Sequence, residues 1–421
     1  MESTVYLSGG VISDNTSKDI GGISVYDGKI TVTGGKVINN SSKSGAGGIS
    51  ASFSTMNISD GIISNNSGGT GGGAEISYGT FIMTGGEISQ NSAEDGGGIG
   101  SDERSKMKIS GGSITDNTAV HGGGIYADCI LELLPNPNPV LDLYPDTNCL
   151  SMDGGIISNN TATYGGGIYL NDGDCIASIS GGTISDNTAE TDGDGIYVTK
   201  GDILNLSSDA FINKNNDVYL DGTDTAVNVL SKLNKVTREN PIALTPSDTT
   251  TVSTKAGVVG NKLVNYFAKA SALEADMQDY FILSDYVSTD AHIVQSDFTS
   301  EENYLILGKR MVSLFLKFSG IVGAEDETIS LTKNDIITKS PAYQAVLAKY
   351  AKKGYTLEFY FDENHTNLLP ADQAIVDDTT LYARYVKNPN TLDNVAIYAI
   401  IGIATIAGAS ILLKSQKRSR R

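Results

Sequence analysis

The sequence predicts an all-β chain built mainly as a parallel β-helix, and three observations carry that reading. A near-identical segment recurs seven times, its copies beginning at Gly9, Gly34, Asp60, Gly85, Gly111, Gly154 and Gly181. Their spacings are 25, 26, 25, 26, 43 and 27 residues, and a period in the twenties marks a solenoid whose coils bury their apolar faces only by stacking on one another. Within each copy, apolar residues alternate with polar ones in short β-branched runs, the period of a strand and not of a helix.

Set in register, the copies show what one coil needs. Two and four residues before each glycine pair stand apolar residues, such as Val32 and Ile30 or Ile109 and Met107. Three residues after each copy's start comes Ile12, Val37, Ile63, Ile88, Ile114, Ile157 or Ile184, and six after it always an asparagine: Asn15, Asn40, Asn66, Asn91, Asn117, Asn160 and Asn187. A second glycine cluster precedes a further isoleucine, as in Gly122-Gly-Gly-Ile125. Each coil therefore reads as three short strands separated by two glycine-permitted bends. Stacked about 4.8 Å apart, the isoleucines form internal columns. The asparagines are expected to turn inward and hydrogen-bond along the axis, a structural ladder and not a row of ligand sites.

The Gly-Gly-x-Ile-x-x-Asn rhythm followed by Gly-Gly-Gly-Ile-Tyr resembles the right-handed parallel β-helix repeats of bacterial surface adhesin-like proteins, and is similar to repeats of chlamydial polymorphic outer membrane proteins. The resemblance covers residues 5 to about 220. It implies a solenoid over 1–220 of about eight coils; since that architecture serves lyases, tail spikes and passive stalks alike, it does not by itself specify a function.

One irregularity interrupts the repeat. Where the spacing rises to 43, the segment Cys129–Cys149 holds four of the nine prolines, so 130–148 is expected to leave the tube as a loop. Cys129 and Cys149 could close that loop as a disulfide in an oxidising exterior, leaving Cys175 unpaired; equally, all three suit small buried positions.

After Ile196 the rhythm decays, with Ser208 and Asp209 in place of a glycine pair. Residues 221–309 are expected to close the end of the tube with short strands and a short helix near Leu263 to Ala275. From about residue 310 to 386 a second small domain is legible. Apolar residues at helical spacing over Pro341–Lys353 precede an alternating strand over Gly354–Asp362. The stretch ending Asp378-Thr-Thr-Leu-Tyr-Ala-Arg-Tyr385 resembles the Listeria-Bacteroides type repeat, or internalin B-repeat, with Tyr385 where Trp is usual. That resemblance implies a small β-grasp-like spacer and no catalysis.

The C-terminus adds a topology. Val395–Leu413 is 19 residues without a charge, enough for a helix of about 28 Å, and is followed at 414–421 by Lys414, Lys417, Arg418, Arg420 and Arg421. The positive-inside rule then places the tail in the cytoplasm and everything before it outside. Within 387–394 stands Asn388-Pro389-Asn390-Thr391-Leu392. A Pro-containing motif, an apolar span and a basic tail resemble a Gram-positive sortase sorting signal of the Asn-Pro-x-Thr type, which implies attack by a sortase cysteine on the Thr391 carbonyl and transfer to a wall amine. Leu392 departs from the usual glycine. Met1 falls inside a repeat with no charged n-region or apolar h-region after it, so a signal peptide and further coils are expected upstream of this sequence.

Charge excludes one class of partner. The chain carries a formal charge of −19, and the basic tail hides about −24 on the rest, with no basic stripe for nucleic acid. Before residue 220 the only arginine is Arg104. The outward positions after the glycine pairs (Val11, Lys36, Ile62, Glu87, Ser113, Ile156 and Thr183) form no acidic row. Asp192, Asp194, Asp221 and Asp224 read as turn residues, and His121, His292 and His365 suggest no metal site. No cofactor is expected. The function expected is a cell-surface, adhesin-like interaction protein, anchored to wall or membrane, binding an unidentified glycan or protein of a host or neighbouring cell; the alternative is a β-helix polysaccharide lyase or glycoside hydrolase.

Overall fold

The computed structural model describes residues 3–102, 104–128, 148–171, 175–222, 225–247, 262–266, 280–284, 291–295, 303–309, 311–332, 335–375 and 378–388. The chain divides into two compact units, 1–308 and 309–421.

The first unit is a parallel β-solenoid. Its longest sheet takes one strand from every coil, running Ser3–Ser13, Gly28–Ile38, Thr55–Ser64, Thr80–Ser89, Lys106–Thr115, Leu150–Ser158, Ile176–Ser185 and Ile203–Ser208 in register order. A second sheet takes the short strand after each later glycine cluster, from Ile23–Tyr26 through Ile125–Asp128 to Val218–Leu220, eight coils in all. A third is made of Thr118–His121, Thr161–Tyr164 and Thr188–Asp192, prolonged toward the N-terminus by single bridges such as Ser41↔Ser67 and Ser67↔Ser92. Register is direct: Ile99 lies beside Ile125, Ile125 beside Ile168 and Ile168 beside Ile196. All four are fully buried, each contributing on the order of 1.5 to 3 kcal/mol.

The bends explain the glycines. In each pair the second residue has positive φ, between 81° and 100° from Gly10 to Gly182. A Cβ on Gly35 would stand 2.9 Å from the Gly9 carbonyl carbon of the neighbouring coil. The residue before each ladder asparagine also lies in the left-handed region (Asp14, Asn39, Asn65, Gln90, Asp116, Asn159 and Asp186, φ 55° to 60°). Asp and Asn tolerate that conformation better than most residues, which accounts for their prevalence there.

The parallel pairing runs past residue 220, a correction to the expected boundary. Val227–Leu233 pairs in parallel with Ile203–Ser208 and Lys262–Tyr266 with Val227–Leu233, while Ile242–Pro246 and Phe281–Leu283 extend the second sheet. Buried Val227, Val229, Ile242 and Leu244 keep the apolar columns going although the glycine pair is gone, and Ser208 takes the bend at φ 51°. Leu263 is correspondingly in a strand, and residues 267–275 of the helix expected near Leu263 to Ala275 lie outside the described residues. Pairing first turns antiparallel where Asn303–Lys309 meets Lys262–Tyr266.

The second unit has a four-stranded mixed sheet in the order Glu327–Thr332, Met311–Lys317, Thr379–Lys387, Tyr355–Tyr360, whose two central strands are parallel and whose outer pairs are antiparallel. The helix Pro341–Lys349 lies between the two hairpins in sequence, capped by Ser340, which accepts from the Tyr343 amide, with Pro at its first position. It is shorter than the periodicity suggests. Tyr343 and Val346 enter a separate core with Leu314, Leu316, Phe359 and Leu381. Tyr385 donates its hydroxyl to the Tyr350 carbonyl at 2.6 Å, fastening the last strand to the helix end.

The asparagines form one axial column. Asn91 donates both its amide N–H and its Nδ2 to Asn117 Oδ1 at 2.9 and 3.0 Å, and Nδ2 also reaches the Ile63 carbonyl at 2.9 Å. Its own Oδ1 accepts two bonds from Asn66. The same double donation joins Asn15 to Asn40, Asn40 to Asn66, Asn117 to Asn160 and Asn160 to Asn187. Asn216 adds an eighth member that the repeat pattern does not reveal. Asn91→Ala takes the acceptor from the buried Asn66 amide and Nδ2 and the donor from the Ile63 carbonyl in the adjacent coil, so it is expected to destabilise by on the order of 3 kcal/mol. Lys36→Ala on the exposed face should stay within about 0.5 kcal/mol; urea titration followed by circular dichroism compares them, and equal midpoints would deny the ladder a role in stability.

Candidate functional site

The residues that follow the later glycine cluster build the candidate site. In Ile125–Asp128, Ile168–Asn171, Ile196–Val198 and Val218–Leu220 the first and third residues are buried and the second turns away from the core. That second residue is Tyr126, Tyr169, Tyr197 or Tyr219, and direct register places the four in one column. The rings stack, with centroids 5.8, 4.8 and 4.7 Å apart and planes inclined by 9°, 21° and 29°.

A second line of rings faces this column across the glycine turn. His121 and Tyr164, register partners at the ends of their strands, stack at 5.7 Å. His121 lies 5.1 Å from Tyr169, and Tyr164 meets Tyr197 edge-on at 5.9 Å. Rings carried by strands on either side of one turn can touch only where the surface between them folds inward. Gly122, at φ 64°, makes that turn, where a Cβ would fall 2.1 Å from the Ile125 carbonyl oxygen. The result is an aromatic-lined corner running along the solenoid axis. The spacing of Gly-Gly-Gly-Ile-Tyr was legible, but the meeting of its tyrosines with His121 and Tyr164 was not, because it depends on the sense of the turn.

Carboxylates surround the corner. Asp95 Oδ1 lies 2.7 Å from His121 Nδ1. Burial raises the hydroxyl pKa of Tyr126 and Tyr197 well above the ordinary tyrosine range and that of Tyr219 to about 12. Negative charge adds to this: Asp128, Asp95 and Asp102 act on Tyr126, and Asp221 and Asp192 on Tyr197 and Tyr219. The phenols thus remain protonated donors at any physiological pH. Among the acids read from sequence as turn residues, Asp194 is drawn inward, accepting from the Ala189 amide at 2.7 Å. Asp217, which the sequence does not single out, is buried; its Oδ1 accepts from the Asp194 amide at 2.7 Å and its Oδ2 from the Thr245 hydroxyl. Asp224 lies outside the described residues. No group of three or more His, Cys, Asp or Glu suited to a metal ion occurs among the described residues.

The remaining sequence assignments fall elsewhere. Cys149 is disulfide-bonded, Cys175 is a buried free thiol, and Cys129 lies outside the described residues together with most of the 130–148 loop. Asn388 closes against the second unit, donating its amide to the Gly354 carbonyl and accepting from the Thr356 hydroxyl at 2.7 Å. Pro389, Asn390, Thr391, Leu392, the apolar stretch 395–413 and the basic tail are outside the described residues; among those described, no helix is long and apolar enough to cross a membrane.

No family model, curated protein or solved structure matches this chain.

Burial lifts the Asp217 carboxyl from an ordinary 3.8 to about 6, against the pull of its Thr245 and Asp194 hydrogen bonds. Because the folded value is the higher, the stabilising contribution is full below 3.8 and is lost as pH rises through about 6. Urea midpoints should therefore fall over that interval, and less steeply in Asp217→Asn; identical slopes would refute the assignment. Separately, alkylation in denaturant without reductant should label Cys175 and leave Cys149 unmodified until reduction, as read by peptide mass spectrometry.

Proposed function

We propose that this chain is a surface-displayed, adhesin-like interaction protein whose solenoid presents the tyrosine corner to extended glycans. The observation that carries this reading is the uninterrupted stack of Tyr126, Tyr169, Tyr197 and Tyr219. A column of half-buried phenols set in an inward fold, repeating at coil intervals, offers a linear ligand one set of ring edges and hydroxyls per coil. Aromatic side chains of this kind supply large contact area with a polar tip. The β-helix serves as the stalk, and the second unit as a spacer; the sheet order with parallel central strands supports the β-grasp-like reading of residues 310–386.

Anchorage at the C-terminus rests on sequence. The Asn388–Leu392 motif, the uncharged 395–413 stretch and the five following cations support display outside the membrane, with a cytoplasmic C-terminus before a sortase acts at Thr391. The alternative, a lyase or glycoside hydrolase, draws on the acids beside the corner. Asp217, however, has both carboxylate oxygens engaged and is buried, so it is poorly placed to reach a substrate.

Two measurements test the reading. Tyr169→Ala and Tyr197→Ala should each reduce retention on immobilised cell-surface glycans by at least about tenfold, or about 1.4 kcal/mol, while removal of the 130–148 loop leaves it unchanged; the reverse pattern would transfer the contact surface to the loop. Thr391→Ala should render the protein extractable from the envelope by detergent. If the unsubstituted protein is already wholly extractable, wall attachment is wrong.

A further inference from the structure

The corner carries a more specific charge logic than a general glycan surface needs. Stacking occupies the tyrosine ring faces with one another, so the column offers ring edges and phenol oxygens. Two residues beyond each tyrosine, on the same face of the second sheet, stand Asp128, Asn171, Thr199 and Asp221, and Asp102 holds the equivalent place one coil earlier. On the other side of the column lie Asp95, His121, Tyr164 and Asp192 in register. The strands that form both walls, Thr118–His121, Thr161–Tyr164 and Thr188–Asp192 with Ile125–Asp128, Ile168–Asn171, Ile196–Val198 and Val218–Leu220, contain no lysine or arginine. An inward fold walled by carboxylates concentrates the potential and attracts the opposite sign, opposed at its Asp221 end by Lys200, whose chain lies against Gly222.

The backbone narrows the choice of ligand further. Along this corner the strand N–H and carbonyl groups are committed to neighbouring coils, as Gly122 to Tyr164, Gly123 to Gly165 and Ile125 to Gly167. At these coils no edge is left for an extended peptide to join as a strand, the route by which peptides usually bind sheets; the third sheet ends only at Thr188–Asp192. A polymer recognised by its own hydroxyls and amines fits the side chains that are offered.

Resting on the glycan reading above, we propose that the corner binds a linear chain of amine-bearing sugars along the solenoid axis, the ammonium groups pairing with Asp95, Asp192 and Asp221 and the sugar hydroxyls with the phenols. Anionic polysaccharides are rejected by the same carboxylates, a specificity obtained by repulsion as much as by attraction.

Titration calorimetry on the full chain, with short glucosamine oligomers, their N-acetylated counterparts, oligogalacturonate and oligolysine, tests the inference. Glucosamine oligomers are expected to bind at least about tenfold tighter than the N-acetylated form, with no binding of oligogalacturonate. Asp192→Asn combined with Asp221→Asn, isosteric changes on partly exposed positions, should erase most of that preference, and Tyr197→Ala should weaken both ligands. Equal affinity for the two sugar forms, lost in Tyr197→Ala, overturns the amine assignment and leaves the glycan corner standing. Oligolysine binding as tightly as glucosamine oligomers and unaffected by Tyr197→Ala overturns it in favour of diffuse charge attraction. Absence of binding by any saccharide overturns both readings.

Discussion

The fold depends on one constraint: each coil must present the same inward groups at the same height as the coil beneath it. The asparagine column states that requirement most sharply. A buried primary amide has two donors and an acceptor to satisfy, and here each is satisfied by the copies above and below and by a carbonyl of the neighbouring coil. A missing member would strand the buried amide groups of the neighbour that donates to it and the carbonyl its Nδ2 serves, so the asparagine is fixed wherever the coil exists. The 43-residue spacing makes the point: Asn117 and Asn160 bond to each other as closely as any other pair, so the insertion leaves the column whole.

This rigidity inside is what frees the exterior. The position that holds Tyr126, Tyr169, Tyr197 and Tyr219 is Ser24, Ser50, Glu75 and Gly100 in the earlier coils. The inward neighbours change far less, remaining Ile, Ala, Leu or Val except at Ser101. A site on such a scaffold is consequently a row: its spacing is dictated by the coil, and its chemistry by which outward position is filled along successive coils. Glu75 illustrates the other use of that position, its carboxylate turned to accept from the Ala46 amide at 3.1 Å, so it caps backbone and leaves the aromatic line.

Much of the first unit was legible in the sequence because it repeats. Periodicity alone located the glycine bends, the isoleucine columns and the asparagines, since a requirement imposed once per coil is written once per coil. What escaped was written only once or depended on three-dimensional sense. Asn216 lies in the coil where Ser208 replaces glycine, and the shifted spacing hides it. The extension beyond residue 220 is carried by hydrophobic residues without their glycine markers, which sequence alone assigns equally to closing strands. His121 was read in isolation because its partners Asp95, Tyr164 and Tyr169 lie 26, 43 and 48 residues away in sequence.

The second unit shows the same logic under a different constraint. It has no repeat, so its elements must be specified individually, and the aromatic residues do so. Phe318, Tyr343 and Phe359 meet within one core, with centroids 5.8 Å apart for Phe318 and Phe359 and 5.4 Å for Tyr343 and Phe359. Tyr385 gives the helix end a hydrogen bond from its hydroxyl to the Tyr350 carbonyl. Asn388 then closes the last strand onto Gly354 and Thr356.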